Sequence, residues 1–349
     1  MRQKKLIKHN LVYQDPGRFG GWPANHGIWS WANEILVGFE RAYYQSNEEG
    51  HSIVPDRPAE LGLARSLDGG ETWRLEDSGL LSGGFANPIP CPEQVHFGHP
   101  DFALKCGGSG FFISYDRGQS WQGPYQISDF GRKLTSRTDY LVTGPNEFLF
   151  FLSAFEPEVE AGIKDRDFCV RTLDGARTFE FLFWMTGEPI AIRSVMPSTV
   201  HGSKCQLVSA MLRRHDTRNG EAVSPYCCID VYHSNDGGRS WDFLSKVAET
   251  GDRNGNPPSL VRLQNGCLCV AYGFRRPHFG IWARLSNDDG QSWGEQISLR
   301  DDGRTWDLGY PRMVQRPDGK LVTIYYYTTD QDPEHHIAAT IWDLGGTHP

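Results

Sequence analysis

The sequence contains no apolar run of about 18 residues, which leaves no candidate for a membrane-spanning helix. It has no surplus of basic charge: 35 Lys+Arg stand against 43 Asp+Glu in 349 residues, a net charge of −8. That balance argues against a nucleic-acid partner, whose binding rests on neutralising phosphates. The start, MRQKKLIKHNLVYQDP, is basic but has no apolar stretch, so no signal peptide is read there. Long windows of Ala, Leu, Glu and Lys are scarce, so helices are not expected. Eight cysteines are present (91, 106, 169, 205, 227, 228, 267, 269), but none has the spacing of a zinc site. They are read as buried or half-buried thiols, because free Cys packs as a small hydrophobe. HFGHPD would place His96 and His99 on opposite strand faces, so no metal or cofactor site is expected.

What the sequence has in plenty is turn residues and aromatics: 39 Gly, 11 Trp, 13 Tyr and 19 Phe. Short β-branched and aromatic runs such as EILVGF, EFLFFLSAF, GCLCVAYGF and KLVTIYYYT are each bounded by turn residues. This pattern predicts an all-β chain.

One pattern recurs five times: SLDGGETW (66–73), SYDRGQSW (114–121), TLDGARTF (172–179), SNDGGRSW (234–241) and SNDDGQSW (286–293). The starts are 48, 58, 62 and 52 residues apart. In such a turn an Asp accepts hydrogen bonds from amides a few residues on, and Gly supplies a positive φ. Asp68, Asp116, Asp174, Asp236 and Asp288 are therefore read as structural. The segments resemble the Asp-boxes, or BNR repeats, of the sialidase-like β-propellers. The resemblance implies a six-bladed propeller of four-stranded antiparallel blades, with the box between the third and fourth strands of each blade. The sixth blade has no box, and KLIKHNLVYQ near the N-terminus is expected to complete it and close the ring. Residues 1–349 are expected to form one such domain.

Strand order then separates two faces. The boxes mark the back. The front carries the residues that open each innermost strand and those that follow each second strand. Among the openers are Arg18, Trp22, Asn25 and His26 in blade one, His96, His99 and Asp101 in blade two, and Arg137, Asp139 and Tyr140 in blade three. Blades four to six add Arg193, then Arg253 and Asn256, then Asp307, Tyr310 and Arg312. Glu40 and Arg41, Arg213 and Arg214, and Arg275 and Arg276 end three of the second strands. An acidic chain that gathers arginine at one end of its axis points to an anion site.

Site residues follow from the resemblance. LGYPRMVQRPDGKLVTIYY is similar to the sialidase segment that carries the Tyr nucleophile, which implies Tyr310. FRRPHFGIWARLS and LVSAMLRR resemble two carboxylate-binding arginine segments, implying Arg275 or Arg276 and Arg213 or Arg214. The acid/base Asp is implied in the blade-one loop RAYYQSNEEGHSIVPDRPAE, where Asp56 is the candidate and Glu48, Glu49 and His51 its rivals. Gly21 stands where the family's first arginine would be, with Arg18 three residues away. Met196 stands where the Glu that activates the Tyr would be. Asp101 and Asp139, on neighbouring blades, are candidates for a pair of carboxyl groups across a scissile bond, with His99, Arg137 and the other arginines binding substrate. The expectation is a carbohydrate-active enzyme, a glycoside hydrolase acting on a carboxylate-bearing sugar. Its alternatives are a divergent exo-α-sialidase, a uronate lyase with Tyr310 or His99 as base, and a non-catalytic glycan-binding propeller. The partner in each case is a glycan or small sugar.

Overall fold

Each apolar run noted above forms a strand, and strands neighbouring in sequence pair antiparallel into six sheets. The computed structural model describes residues 5–128, 130–155, 165–187, 192–203, 206–218 and 221–344. The architecture is the expected all-β, six-bladed propeller of antiparallel blades. Blade five is regular: Ser259–Arg262, Leu268–Phe274, Gly280–Ser286 and Ile297–Arg300 pair in that order from the axis outward. Closure is also as expected. Lys5–Tyr13 pairs antiparallel with His336–Asp343, with Ile7 opposite Trp342 and Leu11 opposite Ala338. The N-terminal strand is thus the outermost strand of blade six, and it covers an edge that would otherwise be open.

The five repeats form the back turns. In the first, the Ser66 hydroxyl donates to Asp68 (2.8 Å), and the Gly70 amide donates to Ser66 Oγ (2.7 Å). The Thr72 amide and hydroxyl donate to the two Asp68 oxygens at 2.9 and 2.6 Å, and Trp73 Nε1 caps the Gly70 carbonyl at 3.0 Å. Partial burial pushes the Asp68 carboxyl up, but these donors outweigh it and hold its pKa at about 2. The third copy keeps the geometry with alanine where the other four have glycine: Ala176 adopts φ 66°. The seven described cysteines are free, five of them buried; Cys205 lies outside the described residues.

Blade two departs from the pattern. Among the described residues its ladder has three strands, Ala103–Gly107, Gly110–Ser114 and Gln122–Gln126. Ser114 opens a back turn and pairs with Ala103, while Gly107 and Gly110 form the front hairpin. Ala103–Gly107 is therefore the second strand of the blade, and no inner strand precedes it. Side chains of the neighbouring blades satisfy its inner edge instead. Thr138 Oγ1 bonds the amide and carbonyl of Cys106 (3.0 and 3.2 Å), Tyr140 Oη accepts from the Leu104 amide (3.3 Å), and Trp29 Nε1 donates to the Leu104 carbonyl (3.2 Å). A phenylalanine-rich core that includes Phe97, Phe102, Phe111, Phe148, Phe150 and Phe168 fills the space between blades two and three.

This register corrects the placement of Asp101 and His99. Residues 95–102 run along the back, where the Val95 amide donates to Gly175 of the third repeat and the Phe97 amide to Pro145. The Asp101 carboxylate takes Arg117 Nε of the second repeat at 2.6 Å, and His99 Nδ1 accepts from the Asp101 amide. Burial of Phe97 and Phe102 fixes this course, and it carries the two polar residues away from the front.

Candidate functional site

At the front, the inner strands of blades one, four and six each hold a non-glycine residue in the left-handed region: Trp22 (φ 49°), Met196 (φ 59°) and Tyr310 (φ 48°). The register slips between Val195 and Ser198 and between Gly309 and Arg312. Each such residue costs on the order of 1–3 kcal/mol, and strain of this kind concentrates at functional sites. Tyr310 packs against the cluster of Ala24, Val195, Met196, Leu212 and Cys227. Asn256 supports it from blade five: its Oδ1 accepts the Tyr310 amide at 2.7 Å, and its Nδ2 donates to the Leu308 carbonyl. Met196, in the place of the implied Glu, contributes only apolar surface here.

Beside Tyr310 lies a polar cluster centred on Asp307. Its Oδ1 accepts from His51 Nδ1 at 2.7 Å and from Tyr326 Oη at 2.6 Å. His335 Nε2 donates to the Asp307 carbonyl at 2.9 Å. Burial pushes the Asp307 carboxyl up, but the His51 hydrogen bond and the charges of His335, His51 and Arg275 prevail and hold it below the usual carboxylate value. An ionised carboxylate only accepts, so His51 Nδ1 is the donor in this bond and Nε2 is the ring nitrogen left for another partner. Nε2 has no partner among the described residues. The His51 ring sits between Trp22 (centroids 4.9 Å) and Trp306 (5.6 Å).

The blade-one loop, residues 44–59, brings His51 here. Trp306 Nε1 and Arg253 Nη1 both donate to the Glu48 carbonyl and pin the loop across blades five and six. Asp56, the first candidate in this loop, faces solvent instead, as do Glu48 and Glu49. The inward residue is the rival His51, and a groove of about 330 Å³ beside it is lined by Trp306, His335, Arg304 and Glu48.

The arginines divide. Arg275 is buried beneath the site, donating to the Leu308 carbonyl and to Tyr326 Oη (2.8 Å), with its guanidinium 5.4 Å from the Tyr310 ring centre. Arg276 is a surface ion-pair residue, 2.6 Å from Asp252 and 3.2 Å from Glu249. Arg213 is buried and donates to Tyr232 Oη (2.7 Å), and Arg214 holds Asn254. Arg18 lies over the Tyr43 ring and pairs with Glu60 at 3.2 Å, on the rim of blade one. Arg137 reaches the mouth, where its Nε donates to Asn25 Oδ1 at 3.1 Å.

Asp139 lies deeper in the channel. Thr199 Oγ1 donates to it at 2.9 Å, in a cavity of about 350 Å³ shared with Arg312, Ser198, Ser259 and Trp31. Burial raises its pKa to about 7, against the pull of Arg312 and the bonds from Thr199. With Asp101 on the back and Asp139 in the channel, this pair does not face across a bond at the front mouth.

Two groups escaped the sequence reading. Asp307 reads as a blade-six opener, but its partner His51 is 256 residues away in the chain. Lys105 sits in ALKCGG and reads as an ordinary strand residue. It is 4% exposed, and its Nζ lies 3.3 Å from His26 Nδ1, whose ring in turn is 3.8 Å from Glu40.

The fold and this mouth define a propeller with its polar, strained face at the inner-strand ends. Residues 105–323 match the family described as a BNR repeat-like domain, so the chain belongs to that family, as a divergent member of the sialidase-like superfamily. Solved structures share the fold. A protein of unknown function from Dyadobacter fermentans is 20% identical (TM-score 0.71, covering 97% of this chain and 99% of that one). An α-L-arabinanase from Penicillium chrysogenum, complexed with arabinobiose, is 13% identical (TM-score 0.60, 97% and 99%). A variant of the NanB sialidase from Streptococcus pneumoniae is 10% identical (TM-score 0.59, 96% and 70%). No curated protein matches the sequence.

Proposed function

We propose that the protein is a carbohydrate-active enzyme that cleaves a glycosidic bond of a carboxylate-bearing sugar at its front face. The observation that carries this reading is the His51–Asp307 pair. Its carboxylate fixes the His51 ring through Nδ1, beside Trp22 and Trp306, and leaves Nε2 without a partner among the described residues. In this reading His51 moves the proton at the reacting sugar. The Tyr310 hydroxyl, without a hydrogen-bond partner among the described residues, acts at the anomeric region, and Arg275 beneath its ring favours developing negative charge there. The acidic-sugar preference draws on the cations at this end of an acidic chain: Arg275, Arg137 and Lys105. The arabinanase complexed with arabinobiose and the sialidase that share the fold agree with a sugar ligand here.

The test is sugar release from a panel holding a sialoside, uronides and neutral glycosides, with His51→Ala as control. Turnover of acidic glycosides that the variant loses, at an unchanged melting temperature, is the expected result. Best turnover on neutral glycosides would remove the acidic-sugar assignment. Binding without any turnover would favour a glycan-binding propeller, a reading that Met196 supports by leaving Tyr310 without a blade-four base.

A further inference from the structure

Among the described residues blade two has no inner strand, and the space beside Ala103–Gly107 opens to the front as a cavity of about 350 Å³. Its walls include Asn25, His26, Glu40, Phe85, Lys105 and Arg137. Two cations meet in it. Lys105 is buried, and its ammonium has the His26 ring nitrogen at 3.3 Å and the face of Phe85 at 5.2 Å. Arg137 spends its hydrogen bonds on neutral oxygens: Asn25 Oδ1, and the carbonyls of Thr135 (2.8 Å) and Ser136 (3.0 Å). Among the described residues, no carboxylate lies within ion-pair distance of either. Glu40 is turned to His26, 3.8 Å away, and burial holds that imidazole neutral with its pKa at about 4. The cavity therefore holds two cations against one carboxylate that contacts neither.

Many arginines elsewhere in the molecule meet carboxylates directly. Arg65, for example, has Glu34 at 2.6 Å and Glu76 at 2.7 Å. A buried ammonium without a counter-charge destabilises the fold that contains it. Burial lowers the Lys105 pKa only to about 8, so the amine is still charged at neutral pH. The cavity is also joined to the candidate site through one short segment. The bulge at 22–27 sets Trp22 against His51 on one side and His26 against Lys105 on the other.

We propose that this cavity is the subsite that takes the sugar's carboxylate, between Lys105 Nζ and the Arg137 guanidinium, with Phe85 as an apolar wall for the ring. The assignment rests on the front-face sugar reading, and it moves acid recognition from the arginines that end the second strands to the space beside Ala103–Gly107.

The test is calorimetric binding of free D-glucuronate, D-galacturonate and D-glucose, none of which has a bond to cleave. Wild type should bind a uronate in preference to glucose. Lys105→Met and Arg137→Gln should each weaken uronate binding roughly ten- to a hundredfold, the loss typical of one charged hydrogen bond, and leave glucose binding unchanged. Lys105→Met should melt no lower than wild type, because it removes an unmatched charge. Should that variant fail to fold, wild type still decides: saturating uronate should slow acetylation of Lys105 by acetic anhydride, read by mass spectrometry. Uronate affinity equal to that for glucose, affinity unchanged in both variants, or acetylation indifferent to uronate would each overturn the proposal. The enzymatic reading fails separately. His51→Ala should bind uronate as wild type does, so uronate binding without turnover of any glycoside would sink the catalytic assignment and leave the subsite standing.

Discussion

At the back of the propeller, four of the five turns end on an aromatic ring that is tryptophan, and all five place Asp oxygens on the same amides and hydroxyls. At the front, the inner strands do not share one opening. Blade one interrupts its strand with a short 3-10 turn at Pro23–Asn25, blades four and six slip register around Met196 and Tyr310, and blade two has no inner strand among the described residues. Charges follow the same division. Back-face carboxylates are met by several donors each, and Arg65 and Arg117 share Glu34. Front groups include Lys105 without a carboxylate and His51 with an open nitrogen. Repetition in this molecule marks what holds the blades, and departure from the repeat marks where strain and unmatched charge are kept.

The sharpest way to break that contrast is at Asp307. Asp307→Asn keeps the shape but removes the charge that fixes the His51 tautomer. Turnover of the best glycoside should fall by roughly 10²–10⁴-fold, far more than the melting temperature changes. If turnover survives, the polar cluster is structural like the back turns. The next largest effect should come from the ring closure. Deleting residues 1–13 exposes the edge of His336–Asp343 along its length, and should lower the melting temperature markedly and promote aggregation at unchanged concentration. Melting behaviour equal to that of the full chain would show that the closing strand is dispensable.

On the back, Asp68→Ala should cost about 1–2 kcal/mol, by analogy with lost side-chain caps. Sugar affinity in the folded variant should not move, and equilibrium urea unfolding alongside calorimetric titration reads both quantities. Selective loss of affinity at full stability would reverse the division between the faces.

The same division explains what the sequence made legible. The back turns repeat at short range, so Ser66, Asp68 and Thr72 carry the whole motif within seven positions, and six blades and the closing strand followed from counting. The front is assembled across blades. The His51–Asp307 contact joins a loop of blade one to the opening of blade six, and nothing local to either residue announces the other. Blade two misled because HFGHPDFAL has the look of an opening strand, and this drew Asp101 and His99 to the wrong face. A signal was present: the first interval, 48 residues, is the shortest of the four. It also contains the long connection at 77–102, which leaves no length for an inner strand. Of the arginines, position alone gave Arg137 and Arg275 their places near the mouth. It could not foresee that Arg276 meets Asp252, or that Arg18 meets Glu60, because those partners lie on loops and outer strand ends.

The last effect depends on pH and concerns a carboxyl between blades three and four. Asp167 is fully buried, with the Ser153 hydroxyl 2.5 Å from Oδ1 and no hydrogen-bond partner at Oδ2. Asp165, two residues earlier, is the one paired, with Arg193 at 2.6 Å. Burial, reinforced by the charge of Asp165, raises the Asp167 pKa to about 8 despite the Ser153 bond and the pull of Arg213 and Arg193. In the unfolded chain the group titrates near the ordinary value of about 3.9. Between these two values the folded state holds a proton that the unfolded state has released. Stability from this group is therefore complete at about pH 4 and is lost as the pH rises through about 8. Asp167→Asn cannot titrate and keeps the neutral shape. The variant should match wild type near pH 4 and gain on it as the pH rises, with the difference levelling off above about pH 8. Thermal melts of both proteins across that range read the effect. Parallel curves would mean that Asp167 is ionised and matched in the fold, which would place this part of the molecule with the satisfied charges of the back.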